Sequence, residues 1–144
     1  MSVIDAETVR EATETIFVRG EIDYVDEMYA DDVVVHNVPR GVDYEGREAF
    51  KDWIRELRGA YPDMAVETRD VIVGDEKFVT QYVVRGTLDG TVPGTDVEAT
   101  GESVEYEGVS IHRVGDQKAT EAWWYYDRLG ILQQLGVAPG PTRG

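Results

Sequence analysis

His36 is the side chain of this sequence best suited to acid/base chemistry. It follows the β-branched run of Val33, Val34 and Val35, a pattern typical of a short buried strand. Imidazole titrates near neutral pH, so a histidine at the end of that strand can both take up and release a proton. The alternative interpretation is a structural histidine whose hydrogen bonds are satisfied at the strand end.

Asp127 is the second candidate for catalysis. It stands immediately before residues 128–135, which we predict to form one or two helical turns. An aspartate at this position is also a good N-cap, because its carboxylate can accept a backbone N–H of the first turn. The pattern favours the cap, and catalysis is the alternative.

Aromatic side chains dominate one predicted strand, in the run WWYY at residues 123–126. Alternation along a strand sends two of them to each face. A wall of aromatic rings suits a flat or apolar ligand, although core packing explains such a cluster as well.

An arginine near this cluster could bind a carboxylate or pair with a surface acid. Other predicted elements could add polar and aromatic groups to a cavity: Trp53, Tyr82, Arg85, His112 and Arg113.

Acidic residues outnumber basic ones by 29 to 14, which gives a formal net charge of −15. We expect no nucleic-acid partner, because binding phosphates requires a basic face that releases counterions. The acids are dispersed and the only lysines are Lys51, Lys77 and Lys118. This pattern predicts a halophilic origin, where salt screens the self-repulsion of the charges. An acidic mesophilic protein is the alternative.

The absence of cysteine excludes disulfides and thiolate chemistry, and two histidines are a poor basis for a metal site. We predict neither a metal nor a cofactor. No stretch approaches the roughly 20 apolar residues that span a bilayer. The first 14 residues alternate apolar and acidic side chains and do not resemble a signal peptide. We therefore expect a cytoplasmic protein without a membrane partner.

Hydrophobic periodicity predicts helices over residues 5–19, 21–29 and 46–60, with a short strand at 33–36. Long strands are predicted at residues 64–73, 78–88, 97–114 and 119–126. Helices followed by hairpin-connected strands indicate an α+β domain, in which a strongly curved antiparallel sheet and N-terminal helices enclose one small-molecule pocket. We predict a single domain over residues 1–136 and a flexible tail at 137–144. The glycine-containing segment 86–94 is expected to form a mobile lip over the pocket mouth.

Four segments resemble the SnoaL-like polyketide cyclase and ester cyclase family of the nuclear transport factor 2-like superfamily. They are MYADDVVVHN at 28–37, YEGREAF at 44–50 with AYPDM at 60–64, RGTLDG at 85–90, and IHRV at 111–114 with LGILQQLG at 129–136. The resemblance implies a homodimer, formed through the outer sheet face, of cone-shaped α+β barrels with deep apolar pockets. It also implies that Trp124 and Tyr126 point into the pocket, with Trp123 and Tyr125 on the outer face.

The resemblance implies two catalytic positions that this sequence does not fill. In the cyclases of the family, a carboxylate on the last strand and a histidine on the preceding strand transfer protons. Trp124 and Ser110 occupy those positions here. The ketosteroid isomerases of the superfamily are similar over the first third, but their catalytic aspartate falls at Asn37. A neutral amide cannot remove a proton next to a carbonyl.

Two functions are consistent with these residues. One is a cofactor-independent enzyme of cyclase, isomerase or hydrolase type, with His36 and Asp127 as catalytic residues. The alternative is a non-catalytic small-molecule binding or sensor domain with an aromatic cavity. In both, the predicted ligand-binding residues are Trp53, Tyr82, Ser110, His112, Trp124 and Tyr126. An apolar, uncharged pocket would favour the binding domain.

Overall fold

The computed structural model of the chain describes residues 4–137. The helices in this range are α1 Ala6–Thr13, α2 Val25–Met28, α3 Arg47–Ala60 and α4 Arg128–Gln134. The strands are β1 Tyr29–Asn37, β2 Val42–Glu45, β3 Ala65–Val73, β4 Lys77–Thr87, β5 Ser103–Gly115 and β6 Lys118–Tyr126. None of these helices is long and apolar enough to cross a membrane. The tail predicted at 137–144 lies, from residue 138 on, outside the described residues.

The first helical segment begins after a capping aspartate and ends at a glycine, as expected from the sequence. Asp5 caps α1, since its Oδ1 accepts the backbone N–H of Thr8 at 2.8 Å. The apolar stripe buries Val9 and Ala12. The helix continues as a π-helical turn, Glu14–Val18, and stops at Gly20, whose φ of 76° is left-handed.

The second predicted helix is shorter than expected, and the strand after it begins earlier. A 3₁₀ turn and α2 cover residues 22–28, and the chain is extended from Tyr29 onward rather than from Val33. The cause is tertiary, because Tyr29 pairs with Ala119 of β6 and its side chain is buried. Asp31 and Asp32 therefore lie within β1 with exposed side chains.

The six strands form one curved sheet in the order β2-β1-β6-β5-β4-β3. Neighbouring strands are antiparallel except β1 and β6, which are parallel. The prediction of a purely antiparallel sheet is thus corrected to a mixed one. Strand β2 has no counterpart among the predicted strands. It pairs with β1 after a turn in which Gly41 has a φ of 68°.

Strand β5 begins at Ser103, not at residue 97 as predicted. Residues 88–102 form a loop that is held by backbone hydrogen bonds, from Val92 N to Val97 O and from Leu88 N to Glu102 O, both 2.9 Å. The predicted strand was too long because valine favours a strand locally. In the structure, the Val97 carbonyl instead accepts the Val92 N–H within the loop.

The core lies between the concave face of the sheet and the helices that it wraps around. Strand β4 shows the alternation that builds this face, since Phe78, Thr80, Tyr82 and Val84 are buried there. Gly108 of β5 lets the Tyr82 ring approach, because a Cβ at Gly108 would lie 2.5 Å from the Tyr82 hydroxyl. The predicted α+β architecture is confirmed, and its concave side encloses a cavity.

Candidate functional site

The cavity between α1, α3 and the concave face has a volume of about 90 Å³. Apolar and aromatic side chains supply most of its wall, and no aspartate or glutamate of the described chain lines it. Arg128 is the one charged lining residue among residues 4–137. Val92 and Pro93 of the loop 88–102 also line it, so this loop lies at the position predicted for a lip. The mobility of the loop stays a prediction.

Six residues were predicted to bind a ligand, and all six line this cavity. They come from α3, β4, β5 and β6, whose inward faces converge here. A role in ligand binding stays a prediction for each of them. The six are Trp53, Tyr82, Ser110, His112, Trp124 and Tyr126.

A chain of four buried polar side chains runs along one wall of the cavity. Thr80 Oγ1 lies 2.6 Å from Ser110 Oγ, which lies 3.4 Å from His112 Nδ1. His112 Nε2 in turn lies 2.9 Å from the Tyr29 hydroxyl. The four residues belong to β4, β5 and β1 and all line the cavity. They form a polar strip on a mostly apolar wall.

His112 is held as a neutral imidazole. Burial lowers its pKa to about 3, since the charged form would lose its hydration. Its ring stacks on Phe78 with a centroid distance of 4.4 Å. Burial also raises the pKa of its partner Tyr29 above the ordinary value. The pair therefore offers neutral hydrogen-bonding groups to the cavity at physiological pH.

A second polar network lies next to Tyr126. Its hydroxyl donates to Asn37 Oδ1 at 2.9 Å, and Asn37 Nδ2 donates to the Tyr44 hydroxyl at 3.3 Å. Arg40 Nη1 also donates to the Tyr44 hydroxyl, at 3.3 Å. Asn37 is fully buried, so its amide needs these partners. The network fixes the hydroxyl end of Tyr126.

His36 lies on the outer face of the sheet, away from the cavity. Its Nδ1 is 2.7 Å from Asp43 Oδ1 and its Nε2 is 2.7 Å from Glu121 Oε2, while its ring stacks on Trp123 at 5.3 Å. Burial opposes the charged form, but the hydrogen bonds to Glu121 and Asp43 outweigh it and raise the pKa of His36. His36 is therefore not among the residues that line the cavity.

The physical reason is the register of β1. Val33, Val35 and Asn37 are buried, so the side chain between the last two points outward. The period of two in Val33 and Val35 was the signal that could have selected Asn37 instead of His36. A catalytic role of His36 stays a prediction, although nothing in its position supports one in the cavity.

Asp127 caps α4. Its Oδ1 accepts the backbone N–H of Gly130 at 2.9 Å. The residue is exposed and does not line the cavity. Its predicted catalytic role is untested, whereas the capping geometry accounts for the aspartate.

Trp124 and Ser110 are direct partners in the pairing of β5 with β6. They hold the two positions that the resemblance assigned to a catalytic carboxylate and a histidine. The Trp124 ring fills its part of the cavity, with centroids 5.4 Å from His112, 5.8 Å from Tyr82 and 5.9 Å from Trp53. On the same strand, Tyr125 is 44% exposed on the outer face.

Several polar residues of the cavity wall were not predicted, among them Tyr29, Thr80 and Tyr61. Thr80 could have been found, because it lies two residues before Tyr82 on one strand face. No local pattern points to the other two. Within residues 4–137, no group of three or more His, Asp or Glu side chains is arranged to hold a metal ion.

Comparison with solved structures shows the same fold at low sequence identity. TsrD from Streptomyces laurentii has a TM-score of 0.79 at 22% identity, covering 92% of this chain and 98% of its own. A SnoaL-like polyketide cyclase from Agrobacterium tumefaciens has a TM-score of 0.74 at 16% identity, covering 94% and 100%. Likeness at such identity establishes the fold alone. No curated protein sequence matches the chain.

The sequence profile of the SnoaL-like polyketide cyclases matches residues 7–135, nearly the whole described range. The match includes every strand of the sheet and every residue of the cavity wall named above. This chain belongs to the SnoaL-like polyketide cyclase family.

Proposed function

We propose that this protein binds a flat, apolar small molecule in the cavity of the concave face, without catalysing its conversion. The observation that carries the proposal is the lining, which is aromatic and aliphatic and contains no carboxylate of the described chain. Apolar cavities of this kind favour apolar ligands because transfer from water removes apolar surface from solvent.

The size of the cavity limits the ligand. Its volume of about 90 Å³ is below the roughly 300–1,000 Å³ of ordinary ligand pockets. An engineered apolar cavity of about 150 Å³ binds benzene. We therefore expect single-ring compounds to bind best, and larger ligands to require displacement of Trp124 or of the loop 88–102.

The lack of a carboxylate among the described lining residues favours binding over catalysis. Trp124 replaces the expected carboxylate, and an indole cannot take a proton from a ligand. His112 is neutral but weakly basic, since burial lowers its pKa to about 3.

The test is a titration of the protein with single-ring aromatic compounds, in which binding is measured by calorimetry and by tryptophan fluorescence. Two tryptophans, Trp53 and Trp124, line the cavity, so binding should change the emission. Ala12→Leu fills space in the wall, and we expect it to weaken binding at least tenfold. Ala6→Leu on the same helix does not touch the cavity and serves as the matched control. Saturable binding that Ala12→Leu leaves unchanged would contradict the proposed site.

A second candidate function is proton transfer by His112. It is favoured by the hydrogen-bonded contact of His112 Nε2 with the Tyr29 hydroxyl, 2.9 Å apart on the cavity wall. Such an enzyme would exchange the α-protons of a bound ketone for deuterium faster than buffer does. Proton NMR of acetophenone-type ketones in heavy water measures this rate. Exchange that depends on His112 would replace the binding proposal with an enzymatic one.

A further inference from the structure

Two buried polar atoms of the cavity wall have no hydrogen-bond partner within residues 4–137. They are the Tyr61 hydroxyl and Trp124 Nε1. Both residues line the cavity, and Tyr61 is 2% exposed. Buried polar groups are normally paired, and an unpaired one is costly. Two such atoms on one wall indicate a ligand that supplies the missing partners.

The chemistry of Trp124 decides which kind of partner is missing. An indole N–H donates and cannot accept. The ring stands among other rings of the wall, with centroids 5.7 Å from Phe17 and 5.8 Å from Tyr82. The free N–H is therefore enclosed in apolar surroundings, where only a hydrogen-bond acceptor satisfies it.

Tyr61 supplies a second donor. Burial raises the pKa of its hydroxyl to about 12, so it keeps its proton at physiological pH. Its ring packs against Gly86, where a Cβ would come within 3.0 Å of the Tyr61 Cβ. The nearby Tyr126 hydroxyl is occupied by Asn37 at 2.9 Å. Tyr61 thus has a proton to donate and no protein acceptor for it among the described residues.

We propose that Trp124 and Tyr61 select, among flat apolar ligands, those that carry a neutral acceptor oxygen such as a ketone carbonyl. The inference rests on the proposed function and specifies the polar contact of the same cavity. A neutral oxygen matches two uncharged donors, whereas a buried carboxylate would also need Arg128, the charged residue of the described lining, as its counterion.

The experiment compares two compounds of the same shape, acetophenone and α-methylstyrene. Acetophenone has a carbonyl oxygen where α-methylstyrene has a methylene group. Calorimetric affinities are measured for the wild type and for Tyr61→Phe. We expect Tyr61→Phe to weaken acetophenone about 2- to 12-fold, the range for one lost hydrogen bond, and to leave α-methylstyrene unchanged. Tyr125→Phe, on the outer face, is the matched control and should change neither affinity.

Trp124→Phe provides the second variant. It also opens space, so the ratio of the two affinities is the quantity to compare, and we expect the ratio to fall towards 1. Equal responses of both compounds in wild type and variants would overturn the inference while leaving apolar binding intact. Failure of both compounds to bind the wild type would instead overturn the proposed function itself. The thermal midpoint of unliganded Tyr61→Phe should not fall, since its hydroxyl has no partner to lose.

Discussion

The two histidines of the chain occupy opposite environments. His112 is enclosed between Phe78 and the Tyr29 hydroxyl, and burial lowers its pKa to about 3. For His36 on the outer face, burial is outweighed by the hydrogen bonds to Glu121 and Asp43, and its pKa is raised. Burial therefore favours the neutral form of His112, whereas two carboxylates favour the charged form of His36.

We predict that NMR titration will separate the two imidazoles. The His36 signals should titrate above pH 6.5, and those of His112 should not move until the protein is strongly acidified. The chain contains two histidines in all, so His36→Gln assigns both sets of signals. Titration of His112 near its unperturbed pKa of about 6.5 would contradict its burial in the folded state.

The same difference predicts how stability depends on pH. The lowered pKa of His112 makes its contribution to folding complete above about pH 6.5 and progressively lost as the pH falls towards 3. The raised pKa of His36 has the opposite effect, so its contribution is complete below about pH 6.5 and is lost as the pH rises through the folded-state pKa.

The variant His112→Phe tests the predicted pH dependence through the free energy of unfolding. At pH 7 we expect the variant to be less stable by about 1–3 kcal/mol, because the Tyr29 hydroxyl loses its partner. At pH 4 the difference should shrink, since the variant has no buried imidazole to protonate. Denaturant unfolding at the two pH values measures both differences. A stability difference between wild type and variant that grows towards low pH would contradict the lowered pKa of His112.

At the scale of elements, the stability of α4 depends on its N-cap, Asp127. Asp127→Ala removes the hydrogen bond to the Gly130 amide, and we expect it to lower the free energy of unfolding by about 1 kcal/mol. Asp127→Asn should have little effect, because an amide oxygen also caps. Ligand affinity should be unchanged in both variants after correction for folding. A specific loss of activity in Asp127→Asn would favour the catalytic interpretation.

The elements that were predicted well are those whose signals are local. The stripe of α3 buries Phe50, Trp53 and Ile54 as the helical spacing requires. The elements that were predicted poorly depend on distant partners. Strand β2 exists because β1 offers it an edge, and β1 begins early because Tyr29 reaches His112, 83 residues away.

At the scale of the whole molecule, the charge of −15 predicts a salt-dependent stability. The thermal midpoint should rise between about 0.1 M and 2 M KCl, because screening weakens repulsion among the dispersed acids. Sorbitol at matched osmolality is the control for solvent exclusion. A midpoint that is constant or falls with KCl would contradict the predicted halophilic character.

The outer face of the sheet is the surface that we predict to form a homodimer. It exposes Tyr125 at 44% and Ile72 at 61%, large apolar side chains that a partner would cover. Light scattering should give about twice the chain mass of 16.1 kDa. Tyr125→Arg should yield the monomer, whereas Leu129→Arg, an exposed position on α4, should not. A dimer that survives Tyr125→Arg would exclude this face.

The sequence by itself determined the fold class, the aromatic wall and the lack of a carboxylate at position 124. The fold class follows from the periodicity and order of the elements, which depend on a few neighbouring residues. The inward aromatic face and the missing carboxylate follow from the resemblance to the family. All six predicted ligand-binding residues line the cavity, and the inward direction of Trp124 and Tyr126 was inferred from the resemblance to the family.

Only the tertiary structure decided which polar groups meet. Thr80, Ser110, His112 and Tyr29 form one chain because β4, β5, β6 and β1 lie side by side. The parallel pairing of β1 with β6 also sets the His36 ring against Trp123 and within 2.7 Å of Glu121. That pairing joins segments far apart in the chain, so the free energy that selects it comes from long-range packing rather than from local preference.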